Sequence, residues 1–196
     1  MLVPLRCRCG EARGSIDLAP NSGVHLVCYC DDCRAFAHAL GRADILDAAG
    51  GTEIFVTTPS RLRVTSGIDR LRCLRLSSSG MLRWYWGCCN TPFANTTHRP
   101  GIPAISMHGA SIDLDDTTAL GPVTYLNARF ALGPVAPHAE QTTSLATKAK
   151  IMIFLLAGWL HRAHKPNPLF LDGKPVCEPR ILAAAERDAL RKPADV

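Results

Sequence analysis

CYCDDCR, Cys28 to Arg34, places three thiols within six residues. Whether they hold a metal, pair with one another or do chemistry decides what kind of fold surrounds them. In the spacing C-x-C-x-x-C, Cys28 leaves the end of a strand on the same side as Cys30, and a tight turn brings Cys33 back towards both. Three sulfurs can then converge on one ion. Zinc suits them, because thiolates about 2.3 Å from a tetrahedral ion are its usual structural environment. The sequence offers no obvious local fourth ligand, which leaves two outcomes. Either the fourth position is open to water or substrate, as in catalytic zinc sites, or it is closed from elsewhere by Cys73 or a histidine.

A second group consists of Cys7 and Cys9 in CRCG, and Cys88 and Cys89 in WGCCNTPF. C-x-C again puts two sulfurs on one face of an extended segment, and a distant turn can complete a cage that adds folding free energy. Neighbouring residues of an extended segment point to opposite faces. Cys88 and Cys89 therefore serve one ion only if a sharp turn intervenes; otherwise one of them is a packed thiol. The chain has nine cysteines, an odd number that cannot pair completely. The N-terminus carries no basic region followed by an apolar stretch and a cleavage site, so we expect a cytoplasmic protein with reduced thiols.

Apolar residues make up 47% of the 196, with 15 Gly and 14 Pro spread through the chain, which suits one turn-rich globular core. Most of the chain reads as short strands, GSID, VHLVC, TEIFVT, RLRVTS, LRCLRLSS, LRWYW, AISMHG and VTYLNARF, between Gly-, Pro-, Ser- and Asn-rich turns. This predicts an antiparallel, meander-like and mainly β domain over 1–132. One short helix is expected over DDCRAFAHALG, capped by Asp31 or Asp32 and stopped at Gly41. From Gly133 a linker leads into a helical extension over 133–196. The long apolar helix there starts at a capping Ser144 and ends in a basic turn before Pro166, with His161 and His164 complementing its dipole. A last helix is expected over Ile181 to Leu190, with Pro179 near its first turn. The apolar run Ile151 to Leu160 is short of the ~18 residues a membrane span needs. Burial against the β-domain or pairing with a second subunit is expected instead, the latter making the chain a homodimer.

The ordered motifs C-x-C-G at Cys7, C-x-C-x-x-C-R at Cys28, R-x-Y at Arg83 and C-N-T-P at Cys89 resemble the family of the glutathione-dependent formaldehyde-activating enzyme and centromere protein V. The resemblance covers residues 5 to 97. The later segment PNPLFLDGKP resembles a bacterial branch of that superfamily. It implies a zinc-containing β-tent fold of layered antiparallel sheets with two zinc sites, Cys28, Cys30 and Cys33 holding the catalytic one. It also implies a structural zinc on Cys7, Cys9 and two cysteines of a C-x-x-C-G-T-P motif. Here Cys89 is the second of that pair and the first falls on Trp86, which cannot ligate. Either Cys88 replaces it through a local change of turn, or the site has three sulfurs and another ligand, or it holds no metal.

The activity so implied is a carbon–sulfur lyase acting on the adduct of a thiol, glutathione in the family, with a small aldehyde. Arg34, Arg72 and Arg83 are the candidates to meet glutathione's carboxylates. Against it stands a non-catalytic scaffold braced by zinc, used for dimerisation or partner binding. Nucleic acid is not expected as a partner, since a net charge of +5 is small and the arginine strands lack interleaved aromatics. Trp84, Tyr85 and Trp86 read as core on one strand face and cover on the other, and Cys177 as an incidental thiol.

Overall fold

The computed structural model describes residues 1–19 and 22–191. The chain is mainly β, with antiparallel and mixed sheets and three α-helices, the last of them at the C-terminal end. A three-stranded antiparallel sheet joins β1 (Leu2–Arg6), β2 (Arg13–Asp17) and β5 (Leu62–Ser66). An eight-stranded sheet contains β3 (Val24–Cys28), β4 (Thr52–Thr57), β6 (Leu71–Arg75), β7 (Leu82–Trp86), β8 (Thr91–Thr96), β9 (Ile105–His108), β10 (Thr124–Leu126) and β13 (Arg180–Ile181). Its order is β10-β3-β4-β9-β8-β7-β6-β13. The expected antiparallel meander is present in β6 to β9, but both edges are parallel pairs, β10 on β3 and β13 on β6. A two-stranded ribbon, β11 (Phe170–Leu171) with β12 (Lys174–Pro175), completes the strands.

Strand alternation sorts the two faces of the large sheet. One face sends Leu71, Cys73, Leu82, Trp84, Trp86, Ile105 and Met107 against Val3, Leu5, Ile16 and Leu62 of the small sheet, which makes the main core. Trp84 and Trp86 are thus core, with Tyr85 on the other face. That other face carries α1 (Asp31–Ala39) and α3 (Ala184–Arg191), which bury Phe36, Leu40, Leu74, Leu76 and Leu182. Besides the two-residue strands β11, β12 and β13, two longer strands escape the sequence pattern because each contains a proline. Pro4 lies in β1, an edge strand, where a missing N–H costs no ladder bond. Pro92 lies in the interior strand β8 at a bulge of that strand, where Tyr85 pairs with Pro92 and Trp84 with Ala94, leaving Phe93 as the extra residue.

The helices differ from expectation at their ends. α1 has Cys30, not Asp31 or Asp32, at its N-cap. Those aspartates occupy the first turn and pair with Arg191 of α3. Gly41, at φ +66, stops α1 as expected, its N–H bonding the His38 carbonyl. The last helix starts three residues late, because Arg180 and Ile181 are taken by β13. α2 (Leu145–Leu160) is capped by Ser144, whose Oγ accepts the Thr147 N–H at 3.1 Å. Gly158 lets α2 approach the 97–103 loop, since a Cβ there would lie 2.7 Å from Pro103. Only one side of α2 meets the sheet. Leu145, Ile153, Leu156 and Leu160 point outward at 83%, 67%, 55% and 81% exposure. Among the described residues, no helix is long and apolar enough to cross a membrane. The C-terminal segment is stitched into the β-domain by β13, by Leu169 in the main core, and by Phe170 edge-on to Trp84.

Candidate metal centres

Cys7 closes β1, and the turn after it is held by the Gly10 N–H to the Cys7 carbonyl at 2.9 Å, so that Cys9 folds back beside Cys7. On the opposite side, the β7–β8 connection Gly87–Asn90 is a tight turn. The Cys89 N–H reaches the Trp86 carbonyl at 3.3 Å, and Asn90 takes the left-handed φ of 54°. That is the sharp turn needed for two adjacent cysteines to face one point. The sulfurs of Cys7, Cys9, Cys88 and Cys89 all lie within 4.8 Å of one another. Individual Sγ–Sγ distances are 3.4 Å for Cys7–Cys9, 3.7 Å for Cys7–Cys88, 3.4 Å for Cys9–Cys88 and 3.8 Å for Cys88–Cys89. Four sulfurs about 2.3 Å from a tetrahedral centre stand about 3.8 Å apart, so the cluster has the dimensions of a zinc cage. Trp86 is instead a core residue, its ring centroid 4.5 Å from that of Phe93 at a 46° tilt.

Thr91 organises the floor of this cage. Its Oγ1 lies 3.1 Å from the Cys89 sulfur and accepts hydrogen bonds from the Arg8 N–H at 3.0 Å and Arg42 Nη1 at 3.2 Å. Burial raises the Cys89 pKa, but the hydrogen bonds from Thr91 and the Cys9 backbone outweigh it and bring the thiol down to about 6. The opposite holds for Cys88, which burial and its three thiol neighbours push up. A cluster of this kind holds its first negative charge on Cys89 and is ready for a cation.

The second cluster is local. Cys28 ends β3, Cys30 is the N-cap of α1 and Cys33 sits in its first turn, with the Cys33 N–H bonded to the Cys30 carbonyl at 3.1 Å. The three sulfurs lie within 4.8 Å of one another, and among the described residues no other Cys, His, Asp or Glu joins that group. Hydrogen bonds from Cys30 and Cys33, and one from Asn127 Nδ2 at 3.3 Å, pull the Cys28 pKa far down against the effect of burial. Cys30 is pushed up to about 12 and Cys33 also rises, each chiefly through its link to Cys28. Of the three thiols, Cys28 is thus the one whose ionised form is favoured, at the junction with the N-terminal end of α1. Cys73, the sequence candidate for a fourth ligand, lies in the main core on the other face of the sheet.

The three candidate arginines are not brought together. Arg34 is buried, with Nη1 bonded to the Phe130 carbonyl at 3.1 Å. Arg72 is exposed on β6, near the far edge of the sheet, with Nη1 on the Asp69 and Leu71 carbonyls. Arg83 is buried beneath α1, over the Phe36 ring and 3.8 Å from Asp32. His161 is the C-cap of α2, and neither it nor His164 gathers with other ligands among the described residues. Cys177 packs against the main core.

Three residues near Cys28 carried no signal in the sequence. Asn127 follows β10 with φ 60° and aims its amide at Cys28. His108 ends β9, fully buried, bonded to Asn95 at 3.1 Å and tilted against Phe36. Burial first, and Arg83 second, lower its pKa to about 3, so it is neutral at pH 7. His108 Nδ1 and Thr52 Oγ1 lack partners, and both residues line a cavity of about 280 Å³ with Arg42 and Glu53. Thr52 is the cross-strand neighbour of Cys28.

The profile of DUF6151, described as a family of unknown function, matches residues 1–180. No curated protein matches the chain. Among solved structures, the crystal structure of a Rhodobacter sphaeroides protein aligns at 17% identity and a TM-score of 0.42, covering 61% of this chain and 96% of that one.

Proposed function

The chain belongs to the DUF6151 family, and from its two sulfur clusters we propose that it is a two-zinc protein with one structural and one reactive site. The observation that carries this reading is the contrast in closure: four sulfurs in one group, three in the other. Cys7, Cys9, Cys88 and Cys89 hold the structural ion, and Cys28, Cys30 and Cys33 hold the other, with the fourth place left to substrate. Zinc bound at the three-sulfur site supplies Lewis acidity that lowers the pKa of a thiol or polarises a carbonyl. The protein's own groups do the rest. Asn127 fixes the orientation of Cys28, α1 directs its N-terminal dipole at Cys30 and Cys33, and His108 and Thr52 present unpartnered polar atoms to a neighbouring cavity. The reaction class is carbon–sulfur lyase chemistry on the adduct of a thiol with an aldehyde, in line with the resemblance of residues 5 to 97 to formaldehyde-activating enzymes. On this reading 1–132 is a zinc β-tent domain, 133–196 its helical extension, and the protein works in the cytoplasm. Cobalt substitution tests the reading: glutathione or mercaptoethanol at millimolar concentration should shift the thiolate-to-cobalt spectrum of one site, and an unchanged spectrum refutes an open position.

A second reading, a zinc-braced scaffold that pairs through α2, is favoured by the outward apolar side chains of that helix. Leu145, Met152, Ile153, Leu156, Trp159 and Leu160 are all exposed. Together they present on the order of 700 Å², close to what one partner contributes to a standard interface. Under this reading Leu156→Glu turns a dimer into a monomer in light scattering; a chain monomeric from the start refutes it.

A further inference from the structure

The inner side of α2 is where the structure says more about the substrate. Between α2 and the helix-bearing face of the large sheet lies a cavity of about 320 Å³, within the range of small-molecule sites. Leu26, Val56 and Leu126 form its floor, and Ile151, Phe154 and Leu155 its roof. The floor runs into the three-sulfur cluster. Leu26 and Val56 pack against Cys28, Cys33 and Ile54. Leu126 is the cross-strand partner of Cys28, and its carbonyl accepts the Tyr29 N–H at 3.0 Å. The cavity floor and the sulfur cluster thus share Leu26 and Val56 along one sheet face, although the three cysteines themselves are not among the lining residues.

The charges around the cavity decide its occupant. Glu140 on its wall is committed to the start of α2, accepting from the Ser144 N–H at 3.0 Å and from the Ser144 and Thr147 hydroxyls. Lys150 is the one cation among the lining residues. A tripeptide thiol with two carboxylates and an ammonium finds no matching set of partners there, since Arg34 is tied to Phe130 and Arg83 faces Asp32. An uncharged chain does find a match. We infer that this cavity binds the apolar chain of the substrate, an alkyl thiol or the thiol adduct of an alkyl aldehyde, whose sulfur end reaches Cys28, Cys30 and Cys33. This rests on the reading of that cluster as an open zinc site.

The test uses zinc-loaded full-length protein and two ligand series of increasing chain length, n-alkanethiols and n-alkanols, followed by calorimetry. Each added methylene tightens binding about fourfold in both series until the cavity is filled. Ala104→Phe, on the cavity wall, removes that dependence and leaves the zinc content and the response of cobalt-substituted protein to mercaptoethanol unchanged. Val24→Trp does the same from a rim position that is already 43% exposed, so it leaves the core intact. A flat chain-length dependence in both series, or a steep one that survives both filling variants, overturns the inference while the open zinc site stands. Steep alkanol binding with no thiol effect on the cobalt spectrum supports the apolar cavity and rejects the open zinc site.

Discussion

The four-sulfur cage and the three-sulfur cluster solve different problems with the same side chain. Cys7 and Cys88 are 81 residues apart in sequence and meet only because the small sheet and the β7–β8 turn are both in place. Cys28, Cys30 and Cys33 are brought together by a single strand-to-helix junction. An ion in the first fastens segments that would otherwise separate, so its binding energy becomes folding energy. An ion in the second is held by local structure, and its binding leaves room for chemistry.

The sharpest way to break this comparison is to remove one sulfur from each. Cys88→Ser should cost about 4 kcal/mol or more in denaturant unfolding, with loss of one zinc, as expected when a metal cross-brace is lost. Cys30→Ser should also lose one zinc but cost only about 1–2 kcal/mol, because the strand and helix remain packed. Equal losses would mean that both clusters are braces. Next in size, Trp86→Cys restores the spacing of the C-x-x-C motif yet should lower stability by about 3 kcal/mol without changing zinc content, because it empties a packed site against Phe93. A gain in zinc affinity would contradict the assignment of Cys88 as the fourth sulfur.

Asn127→Gly keeps the left-handed backbone and deletes the hydrogen bond to Cys28. Zinc affinity at the three-sulfur site should fall about tenfold, in a competition assay with a chelator, while the cage is unaffected. The smallest effect belongs to a pair that contributes no ligand to either cluster. His25 and Glu53 are 2.8 Å apart; the hydrogen bond raises His25 above its ordinary 6.5, against burial, and lowers Glu53 below 4.5. The His25 contribution is complete below pH 6.5 and is lost as pH rises through its raised value. The Glu53 contribution is complete above pH 4.5 and is lost as pH falls. The stability advantage of the native chain over Glu53→Gln should therefore be largest between pH 4.5 and 6.5 and shrink above it; an advantage growing towards pH 8 would contradict the pairing.

The strands with alternating apolar residues, the short helix after Cys30 and the Ser144 cap were legible because each follows a local rule. β1 and β8 were not, since Pro4 and Pro92 violate the strand rule and only the edge position of β1 and the bulge at Phe93 within β8 excuse them. The Cys28 cluster was legible from spacing alone. The meeting of Cys7 with Cys88 depends on a turn at Gly87–Asn90 whose direction no local pattern states. His108 and Asn127 were invisible for a related reason: each reaches the cluster through sheet order, β9 beside β4 and β10 beside β3, which emerges only when the chain is folded. The same holds for α2, whose apolar residues signal burial although most of the large ones are exposed.

The central claim is the difference in closure between the two clusters, and the most direct test is zinc stoichiometry combined with X-ray absorption at the zinc edge on reduced, ligand-free protein. The account predicts two zincs per chain and an average of about 3.5 sulfurs per zinc, one site with four and one with three sulfurs and a lighter atom. Two zincs with four sulfurs each would close the reactive site, and a single zinc per chain would remove one of the two sites altogether.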